Sequence, residues 1–114
     1  MNRNEFAKMM DHTFLKAFAT RSDFEKLCSE AKSLGCHMVA INSYPVKLCK
    51  ELLAGTNVHV GAAISFPLGQ MTIEGKLAET EIAINDGCDE IDYVVNVGKV
   101  KEHDYGISNI KRNV

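Results

Sequence analysis

Short runs of β-branched and small apolar residues alternate along this chain with longer stretches of helical period, and that alternation restricts it to βα units around a parallel sheet. The helical stretches begin with cap chemistry and end near glycine. Thr20-Arg21-Ser22-Asp23 supplies N-cap side chains, and Phe24, Leu27, Cys28, Ala31 and Leu34 share one face before Gly35 stops the helix. Cys36-His37-Met38-Val39-Ala40-Ile41-Asn42 follows, an apolar run that predicts a fully buried strand. Ser43, Tyr44 and Pro45 interrupt it and open a short helix with Val46, Leu48, Cys49, Leu52 and Leu53 as its apolar positions. Val58 through Ser65 is the next strand, broken by Pro67 and Gly69. A long helix then runs through Ile73, Leu77, Ala78, Ile82, Ala83 and Ile84, and Asp86-Gly87-Cys88 ends it. Glu90 through Val97 predicts a further strand, closing at Gly98. At the front, Lys8-Met9-Met10-Asp11-His12 is a shorter, partly polar strand candidate.

Four strands in 114 residues amount to about 28 residues per unit, close to the ~30 of an eight-unit barrel of ~250 residues. The expected architecture is therefore α/β, with parallel βα units making half of a TIM (β/α)8 barrel, and residues 1–114 forming a single partial domain. Glu102 through Gly106 reads as a loop leading into a helix over Ile107-Ser108-Asn109-Ile110-Lys111-Arg112, which lacks the closing glycine of the earlier units.

Composition narrows the function classes. A chain of this length buries roughly two-thirds of its unfolded surface, so no disulfide or metal staple is required. Thirteen Lys and Arg against fifteen Asp and Glu, net −2, argue against binding to a nucleic-acid backbone. No apolar run approaches the ~18 to 20 residues of a membrane span, and Met1-Asn2-Arg3-Asn4-Glu5-Phe6 lacks a signal peptide's apolar segment, so the expected location is cytoplasmic, with no membrane partner. Cys28, Cys36, Cys49 and Cys88 are spaced by 8, 13 and 39 positions within apolar segments. They are expected to be reduced, mostly buried thiols. His12, His37, His59 and His103 match no metal-ligand spacing, and no metal is expected.

Among chemical candidates, Asp92 stands out. Period-2 alternation puts Ile91, Tyr93 and Val95 on one face of the last strand and Asp92, Val94 and Asn96 on the other. If the first set packs on helices, Asp92 points to the sheet's interior side, where a carboxylate costs several kcal/mol unless it is paired or hydrogen-bonded. Either it carries chemistry or it is a structural group bonded to a lysine or an amide. Asp11-His12-Thr13 ends the first strand, at the rim where barrels carry active sites, although the same cluster suits an N-cap or Asx turn. Asn42 and Ser43 end the next strand and admit both readings. Gly69 through Lys76 has five residues between its glycines, and Leu77 follows Lys76, so it is not a P-loop. Lys99 and Lys101 read as solvated surface lysines.

These segments together resemble the deoxyribose-phosphate aldolase family. Asp11-His12-Thr13-Phe14-Leu15-Lys16 is similar to its first-strand motif, Val39 through Pro45 to its second, and Val60 through Gly69 to its third. Lys76-Leu77-Ala78-Glu79-Thr80 is similar to the helix after that, and Gly87 through Val94 to the fourth strand. The resemblance runs from about Met10 onward, in order and at family-like spacing.

It implies a carbon–carbon lyase on a (β/α)8 barrel, of which this chain is the N-terminal half. Such enzymes cleave 2-deoxyribose 5-phosphate to glyceraldehyde 3-phosphate and acetaldehyde through a lysine Schiff base, with no metal or organic cofactor. Asp92 is implied to move protons through water during carbinolamine formation, with Asp11, Thr13 and Asn42 lining the substrate pocket. Ala40 stands where many relatives carry cysteine. The family's Schiff-base lysine, the lysine that lowers its pKa and its phosphate cradle belong to strands six to eight, and none of Lys16, Lys99 or Lys101 matches them. The implied partners are a small phosphorylated sugar and either further copies of the chain or a missing C-terminal half, and the chain alone is expected to be inactive. The alternative is a non-catalytic half-barrel that self-associates or complements another chain, because its first and fourth strands would be unpaired edges.

Overall fold

Cap residues set the helix limits. The Asp23 carboxylate accepts from the Thr20 amide at 2.8 Å, and Gly35 takes the left-handed conformation, φ 71°, that closes the helix. A computed structural model describes residues 1–102 of the chain. Its elements are α1 (Arg3–Ala7), β1 (Asp11–Thr13), α2 (Arg21–Leu34), β2 (Met38–Asn42), α3 (Val46–Leu52), β3 (His59–Ile64), α4 (Ile73–Asn85), β4 (Glu90–Tyr93) and α5 (Val97–Lys101). The strands form one parallel sheet in the order β1-β2-β3-β4. The expected α/β alternation is thus the observed one. The loop from Glu102 through Gly106 is described only at Glu102, and the helix expected from Ile107 lies outside the described residues.

One face of the sheet carries the core. Val39, Ile41, Val60, Ala62 and Ile64 pack there against Leu27, Cys28 and Ala31 of α2, Val46 and Cys49 of α3, and Ala83 of α4. The other face is more open: Met38 and Gly61 are buried, but Ala40, Asn42 and Ala63 are only half-buried and His59 is exposed. β2 and β3 are therefore fully covered on one side only, against the full burial that their apolar runs predict. No disulfide joins the cysteines; Cys28, Cys36 and Cys49 are buried and Cys88 is half-buried.

Two boundaries and one helix face depart most from the sequence reading. At the front, the Asn2 side chain accepts from the Glu5 amide at 2.8 Å and starts α1, so β1 begins only at Asp11 instead of Lys8. At the other end, the Asn96 side chain accepts from the Lys99 amide at 3.1 Å. That cap starts α5 at Val97 and puts Gly98 inside it, so the strand ends at Tyr93. The third concerns α4, which turns Lys76 and Ala83 inward and leaves Leu77, Ile82 and Ile84 exposed. Among the described residues, no helix is long and apolar enough to cross a membrane.

Candidate active site

Strand register sorts the polar candidates. Asp11 pairs with Met38 and Met38 with His59; Thr13 pairs with Ala40, Ala40 with Gly61, and Gly61 with Glu90; Asn42 pairs with Ala63 and Ala63 with Asp92. Residues in one row share a face. Because Val39, Ile41, Val60 and Ala62 occupy the helix-packed face, alternation places Asp11, Thr13, Asn42 and Asp92 together on the face turned away from the helices. His12 is separated from its neighbours: its ring lies 3.2 Å from Glu30 of α2, on the helix side.

On this face Asn42, Ala63 and Asp92 form the row nearest the C-terminal ends of the strands, with the small Ala63 between the two polar residues. Neighbouring strands lie ~4.8 Å apart, so Asn42 and Asp92 stand ~10 Å apart at their Cα atoms. Asp92 is exposed and has no hydrogen bond or ion pair among the described residues. The lysine or amide partner of its structural alternative is not observed there. The Thr13 hydroxyl donates to the Asp11 carbonyl at 3.2 Å, a local bond within β1.

A clamp that sequence reasoning missed holds this rim. The Glu79 carboxylate accepts from the Ser43 hydroxyl and from the Ser65 amide, each at 2.7 Å. Those two residues directly follow β2 and β3. Three positions earlier on α4, the Lys76 amine donates to the Val94 carbonyl at 2.9 Å, just beyond β4. One face of α4 thus ties down the C-terminal ends of three strands, which explains why that face is polar and Leu77 is turned out. The available signal was Lys76 and Glu79, a charged pair at i,i+3 within a helix expected to pack on a sheet. Beside the clamp, Ser65 adopts φ 56° and helps line a small cavity with Phe66, Leu68, Met71 and Glu79.

The opposite end of the sheet has its own polar group. The carboxylate of Glu90 lies 2.7 Å from His37 Nε2 and 2.8 Å from His59 Nδ1. The hydrogen bond from His59, working against partial desolvation, and then that from His37 hold Glu90 below the ordinary carboxylate range. Burial opposes the charge of Asp89, but the Val60 amide at 2.8 Å and Lys50 at 3.2 Å outweigh it, so that carboxyl is also lowered.

No family model matches the chain. The deoxyribose-phosphate aldolase of Lactobacillus acidophilus is 52% identical over 102 residues, covering 90% of this chain and 43% of that protein. That of Mycoplasma mobile is 46% identical over 110 residues, 95% of this chain and 51% of the relative. Among solved structures, a proposed deoxyribose-phosphate aldolase from Coccidioides immitis superposes with a TM-score of 0.88 at 32% identity, over 92% of this chain and 42% of that one. A tetrameric deoxyribose phosphate aldolase from Aeropyrum pernix does so with a TM-score of 0.75 at 26% identity, over 98% and 50%. The chain spans about half the length of the relatives it matches.

Proposed function

Because the chain belongs to the deoxyribose-phosphate aldolase family, we propose that it is the segment of such an enzyme that supplies proton transfer and one wall of the sugar pocket. The substrate is 2-deoxyribose 5-phosphate, cleaved to glyceraldehyde 3-phosphate and acetaldehyde, or formed from them in reverse. A lysine amine outside the matched motifs attacks the sugar carbonyl. Asp92 then relays a proton through water to the departing hydroxyl as the carbinolamine becomes an iminium, and the iminium takes up the electron pair of the broken carbon–carbon bond. Asn42, Asp11 and Thr13 orient the sugar hydroxyls beside it.

The observation that carries this reading is the row of Asn42, Ala63 and Asp92, with Asp11 and Thr13 on the same face. It presents a carboxylate that has no partner among the described residues, and hydrogen-bonding side chains, at the C-terminal ends of parallel strands, where barrel chemistry is done. A chimera tests it, with these 114 residues replacing the matching segment of the Lactobacillus acidophilus relative. The chimera is expected to cleave deoxyribose 5-phosphate, and its Asp92→Asn form to lose about 10²- to 10⁴-fold in kcat, the usual worth of a positioned acid–base group. A folded Asp92→Asn chimera as active as its parent would remove Asp92 from the mechanism.

A further inference from the structure

We propose that His37, His59 and Glu90 form a binding site for a divalent transition-metal ion of the zinc class, which clips together the starts of β2, β3 and β4. His37 directly precedes β2, His59 opens β3 and Glu90 opens β4. The site lies at the opposite end of the strands from the Asn42–Asp92 row, and its existence does not depend on the proposed aldolase role.

The three side chains already converge. One nitrogen of each ring and a Glu90 oxygen all lie within 4.8 Å of one another. Both imidazoles address the same carboxylate oxygen, and their centroids are 4.9 Å apart with a 55° interplanar angle. Zinc binds nitrogen and carboxylate oxygen at ~2.0 to 2.2 Å, so tetrahedral donors stand ~3.3 Å apart. Seating an ion requires the carboxylate to withdraw by ~0.5 Å from each ring and the rings to turn toward each other, replacing two hydrogen bonds with three coordinate bonds. The side chains, 41%, 47% and 39% exposed, have room to make that adjustment without moving the core.

Donor chemistry selects the ion. Two imidazoles with one carboxylate suit zinc, cobalt or nickel, whereas magnesium and calcium require sets dominated by oxygen. Three protein ligands leave a fourth position for water. Cys36, the nearest thiol in sequence, is buried in the core on the helix side, so the set is nitrogen and oxygen without sulfur.

Calorimetric titration of the chain with zinc chloride, paired with the cobalt(II) absorption spectrum, tests the site. We expect one ion per chain, a visible cobalt band without thiolate charge transfer, and zinc-induced shifts of the His37 and His59 ring resonances but not those of His12. His59→Gln and Glu90→Gln should each weaken zinc binding at least tenfold, and His12→Gln should leave it unchanged. Absence of binding to the folded chain, a sulfur-to-cobalt band, or ring resonances of His37 and His59 that do not respond would overturn the proposal. The resonance measurement uses the unaltered chain, so it decides the question even if a variant fails to fold.

Discussion

Glu79 and Asp92 are both carboxylates near the C-terminal rim, yet their surroundings predict opposite consequences of removing them. Glu79 satisfies two donors, one of them the amide of the buried Ser65. Glu79→Ala strands that amide, and a buried unsatisfied donor costs about 1–3 kcal/mol. Urea unfolding should show a loss of that size, and Glu79→Gln, which keeps an acceptor, a smaller one. Equal losses for the two variants would mean that the carboxylate matters for packing and not as an acceptor. Asp92 is exposed and makes no such bonds among the described residues. Asp92→Asn should therefore change stability by less than about 0.5 kcal/mol, while lowering turnover in the chimera. A large stability loss would instead identify a structural aspartate. Period-2 alternation was enough to place Asp92 on the face turned away from the helices, but that side is open, so the desolvation cost expected of its carboxylate is not found. The Glu79 clamp was hidden because its partners, Ser43 and Ser65, lie 36 and 14 positions away. The His37–His59–Glu90 group was hidden for the same reason: only the parallel register brings these residues together, and no local spacing reports it.

At the scale of elements, cap chemistry was the most legible part of the chain and face assignment the least. Thr20 and Gly35 bounded α2 correctly because capping is a local interaction. The apolar run through Val97 promised a longer β4, and it failed because Asn96 caps α5 instead of extending the strand. Hydrophobic period likewise misjudged α4, whose inward face is set by bonds to strand ends. Two glycines show how far a turn's context matters. Both Gly35 and Gly69 have positive φ, 71° and 70°, but a side chain at Gly35 would meet open space. At Gly69 it would strike the Val95 backbone carbonyl, which has no rotamer by which to move away. Gly35→Ala should cost only the left-handed penalty of about 1–2 kcal/mol. Gly69→Ala should exceed it by a further ~1–3 kcal/mol of overpacking and shift the loop that carries Ser65. Denaturant midpoints for the two variants test the difference, and equal midpoints would mean that the Val95 contact yields freely.

At the scale of the whole molecule, the order β1-β2-β3-β4 leaves one side of β1 and one side of β4 without a strand partner among the described residues. Unpaired parallel edges invite further strands, and the half-open inner face beside them still exposes Asp11, Thr13 and Asp92. Two copies meeting through these edges would extend the hydrogen bonding of the sheet, and under the proposed aldolase role they would still need an amine nucleophile. A twofold setting a second β2 opposite the first would bring Ala40 and Asn42 toward the place that the family resemblance implies for the nucleophile, and neither is an amine. Of the lysines on the chain's own rim, Lys76 holds its amine against the Val94 carbonyl at 2.9 Å. Sedimentation of the isolated chain is therefore expected to show concentration-dependent association. Borohydride reduction in the presence of deoxyribose 5-phosphate should leave the intact mass unchanged at every concentration. A reduced sugar adduct on any lysine would show that self-pairing assembles a nucleophile. Sedimentation as a monomer throughout would instead show that the exposed edges are protected by features of the chain itself.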